Sequence, residues 1–263
     1  MENKNISKQE MDMIHGPIWN KLIQYALPVA ATGILEQIFN ASDIAIVGNF
    51  ARGAKVVAVA AVGANAPIIG LILNFFIGIA LGANVVIANA IGQQNEDTIR
   101  KAVHTSIIMS VIGGILVTII GELSIVYLLQ MLNVPSDVFP YALLYIRIYL
   151  LGMPVILLYN FEAAIFRSIG ETKTPLKALV VSGILNVLLN MFFVIVLKMT
   201  LNGVAIATVI ANVVSSMLLF VKLYKTDSVL RISKDDFKFS KKIFRKIIRI
   251  GLPAGIQTAV FAF

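Results

Sequence analysis

The chain has no cysteine, one tryptophan, two histidines and only 14% charged residues among its 263. Without cysteine there can be no disulfide and no thiolate metal site. With His15 and His104 the only imidazoles, no H-E-x-x-H can be written, and no Walker loop is present either. Nothing in the chain supports a hydrolytic enzyme or transport driven by ATP on this chain alone, and no cofactor is expected. The shortage of charge goes with 58% hydrophobic residues and a mean hydropathy of +0.87. A soluble domain cannot hide that much apolar surface, so the sequence is that of an integral membrane protein. The first 17 residues are polar and lack an apolar run ahead of an A-x-A site, so the expectation is that no signal peptide is removed.

A formal charge of +8 raises the question of nucleic acid. Position decides against it. With six spans counted from a cytoplasmic start, only Arg52, Lys55, Arg147 and Lys198 of the 22 Lys and Arg fall outside. That asymmetry is the positive-inside rule, and it predicts a multi-pass protein of the cell membrane with its amino terminus in the cytoplasm.

The expected fold is all-α. Apolar runs predict spans near residues 22–47, 67–91, 103–129, 139–167, 176–197 and 204–224. They divide the chain into a cytoplasmic segment (1–20), a six-span lobe (21–225), a basic amphipathic connection (226–246) and the start of a seventh span (247–263). Pro28 and Pro154 should bend their spans, and the carbonyls they free need other partners. Gly78-Ile-Ala-Leu-Gly82 and Gly113-Gly114 read as close helix contacts. Tyr141, Tyr145 and Tyr149, at four-residue steps, read as an interfacial aromatic band. Glu162 and Arg167 are expected to snorkel to the inner headgroups. Residues 234–250 interleave phenylalanine and isoleucine with Lys and Arg, the pattern of a helix lying on an anionic lipid surface.

Span 1 is the exception to the apolar pattern. It carries Glu36 and Asp43, and carboxylates inside a membrane normally mark an ion or substrate path. On a helix, Thr32, Glu36, Asn40 and Asp43 fall within an arc of about 80°, extended by Tyr25. Seven residues separate the two acids, so they differ in depth by about 10 Å and are not expected to share one proton. Span 5 offers Ser182, Asn186 and Asn190, and span 6 offers Thr208, Asn212 and Ser215, again in helical steps. Two readings remain for these amides and hydroxyls: bonding helices together, or lining a central cavity with span 1.

Near its end the chain repeats its beginning. Lys246-Ile-Ile-Arg-Ile-Gly-Leu-Pro253-Ala-Gly matches Lys21-Leu-Ile-Gln-Tyr-Ala-Leu-Pro28-Val-Ala, proline on proline. A second six-span unit of the same orientation is expected to start there, which makes the sequence a piece of a longer protein; a half-length protein that dimerises is the alternative.

Four stretches carry a resemblance. They are Leu27-Pro28 with Asn40-Ala-Ser-Asp43-Ile-Ala-Ile-Val-Gly48, the run Gly82-Ala-Asn-Val-Val-Ile-Ala-Asn-Ala-Ile-Gly92, Phe166-Arg-Ser-Ile-Gly-Glu-Thr-Lys-Thr-Pro175, and Asn202-Gly-Val-Ala-Ile-Ala-Thr208. Over residues 18–263 the chain resembles the multidrug and toxic compound extrusion (MATE) family. The resemblance implies the first half of a twelve-helix, two-lobe antiporter that exports amphipathic, often cationic small molecules against protons or sodium by alternating access. Its partners would be those substrates, membrane lipid and a C-terminal lobe of the same chain, with no nucleic acid. In the DinF-like branch, the aspartate matched by Asp43 is implicated in cation coupling. Many relatives carry an acid where this chain has Asn190; Glu36 is the second coupling candidate on the residues alone. A lipid-linked precursor flippase of the same superfamily and a non-transporting membrane scaffold are the competing functions.

Overall fold

The structure is a computed structural model that describes residues 18–50, 55–233 and 237–260, apart from the side chains of Ile18 and Asn20. The polar segment at 1–17 with His15, Gly16 and Pro17, and Arg52, Lys234 and the last three residues of the expected seventh span, lie outside the described residues. The described residues form helices α1 (Ile18–Phe50), α2 (Lys55–Gly92), α3 (Glu96–Met131), α4 (Phe139–Ser168), α5 (Lys173–Met191), α6 (Leu201–Lys225) and α7 (Lys241–Val260). A single π turn, Phe192–Val196, continues α5. Six of these helices, α1 to α6, are long and apolar enough to cross a membrane. Most are longer than the expected spans, because the alanine-valine stretch before Pro67 and the polar turns at helix ends also wind into helix. Asn95 starts α3, its Oδ1 accepting from Thr98 N–H at 2.9 Å.

Small residues and prolines set the helix contacts. A Cβ on Gly114 of α3 would strike the backbone of Pro154 in α4. Pro154 cannot bond the carbonyl of Leu150, one turn back. Thr118 of α3 takes that role, its Oγ1 donating to Leu150 O at 2.6 Å. The carbonyl freed by the proline is thus satisfied by the neighbouring helix. On the other side of the bundle, Gly78 and Gly82 of α2 meet Gly255 and Gly251 of α7, backbone against backbone. The G-x-x-x-G of span 2 is a close helix contact, as its residues suggest, and its partner is a second G-x-x-x-G. Apolar side chains then fill two clusters, one around Phe161, Ile87 and Leu223 and one around Leu150, Met153 and Ile146.

Two expectations about the basic connection change. Residues 241–250 are not a separate surface helix; they are the first turns of α7, which runs unbroken through Pro253. The reason is the buried stripe Ile243, Ile247, Gly251, Gly255 and Ala259, whose four-residue period continues across the expected break. The connection before it is also held down. Leu230 and Ile232 are buried, His104 Nε2 lies 3.2 Å from Ser233 N and from Ser233 O, and Ser240 N–H donates to Thr105 Oγ1 at 3.2 Å.

Candidate functional site

α1 packs mainly against α5, and one face of it exposes Ile23, Leu27, Ile34 and Ile38. The opposite face looks into a cavity of about 880 Å3. Glu36, Asn40 and Asp43 line it from α1, Ser182 and Asn186 from α5, and Thr208 and Asn212 from α6. The three polar stripes of the sequence therefore converge. α7 reaches the same space through Thr258, whose Oγ1 donates to Asn74 O of α2 at 2.7 Å.

The centre of the site is a closed ring of four side chains on three helices. Asn190 Nδ2 donates to Asp43 Oδ1 at 2.5 Å and to Asn186 Oδ1 at 3.1 Å. Asn186 Nδ2 donates to Thr208 Oγ1 at 3.3 Å, and Thr208 Oγ1 lies 3.3 Å from Asp43 Oδ2 and 3.0 Å from Val204 O. The threonine has one proton for those two acceptors. With Asp43 ionised and Asn186 as placed, this orientation of Asn190 is the favourable one, since turning its amide over would set Oδ1 against both a carboxylate and a carbonyl. The consequence is an orphan: among the described residues, Asn190 Oδ1 is buried with no hydrogen-bond partner. A carboxylate, a hydroxyl and two amide oxygens thus meet in one place. Hard oxygens of this kind suit a proton or a small hard cation.

Not every expected residue reaches the cavity. Thr32 is buried but does not line it; its Oγ1 donates to Pro28 O at 2.9 Å, within its own helix. Asn190 also contributes no lining surface, because it lies fully buried behind Asp43. Ser182 lines the cavity while its hydroxyl bonds Leu179 O at 3.1 Å, and Asn212 bonds Thr208 O at 2.9 Å. Ser215 is buried against its own helix and outside the lining. Glu36 lies in the wall without a hydrogen bond or ion pair among the described residues, with Arg167 of α4 as the cation that acts on it through space.

The tyrosines correct a second expectation. Tyr145 and Tyr149 are not at an interface with headgroups; both are buried and line the cavity, their rings stacked at 6.2 Å between centroids and 28° between planes. Tyr159 and Asn160 continue the same wall. The physical reason is depth. α4 is the most buried of the six candidate spans, so its aromatic stripe faces protein rather than lipid. The four-residue spacing showed that these rings share a face, and only packing shows which way that face looks. Glu162 likewise does not snorkel toward Arg167, but is fully buried against α6.

Comparison with known proteins gives a consistent result. The model of the MatE family matches residues 28–192. Among individual relatives, the chain is 28% identical over 247 residues to the probable multidrug resistance protein YoeA of Bacillus subtilis, covering 91% of this chain and 53% of that protein. It is 26% identical to the probable multidrug resistance protein NorM of Thermotoga maritima, over 93% of this chain and 53% of the relative. Among solved structures, an outward-facing multidrug resistance MATE family transporter of the MOP superfamily superposes with a TM-score of 0.86 at 25% identity. That superposition takes in 97% of this chain and 56% of the other. The chain spans about half the length of the relatives it matches.

Proposed function

The chain belongs to the MatE family of membrane transporters, and from that premise we propose that it supplies the first lobe, and the opening helix of the second, of a cation-coupled multidrug antiporter. The protein exchanges protons or sodium for amphipathic, cationic small molecules by alternating access, in the cell membrane with its amino terminus in the cytoplasm. One observation supports this reading above the others: the Asp43–Asn190–Asn186–Thr208 ring borders a cavity large enough for a drug-sized molecule.

The ring supplies the coupling site. Asp43 is its one charge, held by the N–H of Asn190 and open to the cavity that a cation or proton would enter. Cation and exported compound then compete for the same negative field, which is the physical basis of exchange. The stacked Tyr145 and Tyr149 offer π faces to a cationic aromatic compound, and Glu36 adds negative charge about 10 Å along the same helix face. Acids in this wall favour a cationic cargo over an anionic lipid-linked precursor.

The test is dye efflux from proteoliposomes holding the full-length protein, under imposed proton or sodium gradients. Asp43→Asn should abolish cation-driven efflux while expression persists. Wild-type efflux by that variant would overturn the coupling assignment. Glu36→Gln should give a smaller loss that depends on the dye; unchanged coupling across pH and sodium concentration would remove Glu36 from the site.

A further inference from the structure

A second acid lies outside the cavity and outside the ring. Glu162 of α4 is 0% exposed and does not line the cavity. Ser216 of α6, itself 2% exposed, donates from Oγ to Glu162 Oε2 at 2.9 Å. Among the described residues, Glu162 Oε1 is buried with no hydrogen-bond partner. The ionisable groups around it are Tyr159 and Arg167 on α4 itself, Glu36 from α1, and Lys222 from α6, which lies 5.9 Å over the Phe166 ring and donates to Thr174 Oγ1; among the described residues the hydrogen bond to Glu162 is the one from Ser216.

That environment suits one form of the group. An ionised carboxylate offers about four acceptor sites, and here one is used. Leaving such a charge buried and unpaired costs several kcal/mol, whereas a neutral acid leaves one hydroxyl unsatisfied at about 1–3 kcal/mol. A neutral acid also fits the contact observed, with Oε2 as the carbonyl that accepts from Ser216.

We propose that Glu162 is a proton-binding site separate from Asp43, holding its proton on Oε1 while α4 and α6 are packed as described. When that seam parts and water reaches the carboxyl, the proton passes to water and Oε2 and Oε1 share the charge. The packing of α4 on α6 and the occupancy of this proton site are therefore one equilibrium, favoured together at lower pH.

Infrared spectroscopy of the purified full-length protein tests this without any transport assay, so its failure is distinct from failure of the antiport reading. Wild type at neutral pH should show a carboxylic-acid carbonyl band that Glu162→Gln removes and Asp43→Asn leaves in place. Ser216→Ala should move the same band to higher frequency by deleting the hydrogen bond to the carbonyl. A neutral-pH spectrum in which Glu162→Gln removes no acid band overturns the proposal. If that variant does not fold, an acid band set unmoved by Ser216→Ala overturns it equally.

Discussion

Asn190 Nδ2 lies 2.5 Å from Asp43 Oδ1, and this contact joins α5 to α1 where apolar packing between α1 and the bundle is thin. A hydrogen bond to a charged group contributes about 1.5–3 kcal/mol. Asn190→Ala should therefore loosen α1 as well as disturb the ion site. Hydrogen exchange over residues 40–47 should speed up by about tenfold or more in the variant. The swapped pair Asp43→Asn with Asn190→Asp keeps one acid and one amide in contact, so it should recover much of the protection. No recovery would mean that the ring does not hold α1.

The tyrosine wall makes a prediction about cargo. A cation over an aromatic face gains about 0.5–2 kcal/mol, which is about two- to thirtyfold in affinity. Tyr149→Ala should weaken binding of a cationic aromatic dye to full-length protein by that range, measured by fluorescence anisotropy. Tyr149→Phe keeps the ring and should bind within about twofold of wild type. An equal loss in both variants would transfer the role to the phenolic hydroxyl.

Much of this arrangement was legible in the residues. Asp43, Asn186 and Thr208 stand at helical steps on apolar spans, and the cost of polar groups in hydrocarbon predicts that such stripes face one another. Thr32 shows where periodicity stops being informative: it shares the arc of Glu36 and Asp43, yet its hydroxyl is taken by the carbonyl of Pro28. Tyr145 and Glu162 show the same limit from the other side. Both are amphipathic groups near helix ends by sequence, and both are buried because α4 is surrounded by α2, α3 and α6. Neighbours, not spacing, decided those positions. The continuity of α7 was visible in the four-residue period from Ile243 to Ala259, but the density of Lys and Arg on its other face pointed to a surface helix.

The α2–α7 seam predicts a graded response among glycines of one helix. Gly78 and Gly82 face the backbone of α7, which cannot yield as a flexible side chain can, whereas nothing among the described residues lies within 4 Å of a Cβ on Gly70. Overpacking costs about 1–3 kcal/mol, and backbone contact belongs at the upper end. Gly82→Val should lower the melting temperature in detergent by several degrees, while Gly70→Ala should leave it unchanged or raise it slightly by better helix propensity. Equal melting temperatures for the two would place the α2–α7 contact elsewhere.

Thr118 and Pro154 offer a test of how a proline is accommodated inside the bundle. Because Pro154 cannot bond Leu150 O, that carbonyl depends on Thr118 Oγ1, 2.6 Å away on α3. Thr118→Val keeps shape and removes the donor, so it should cost about 1–3 kcal/mol, whereas Thr118→Ser should cost less than about 1 kcal/mol. In a Pro154→Ala background the helix can restore its own bond to Leu150 O, and Thr118→Val should then lose most of its effect. Unfolding midpoints of the four proteins in this cycle give the coupling between the residues directly. A penalty for Thr118→Val that is the same with and without Pro154 would show that the threonine acts through its other acceptor, Gly114 O at 3.0 Å, and not through the carbonyl that the proline frees.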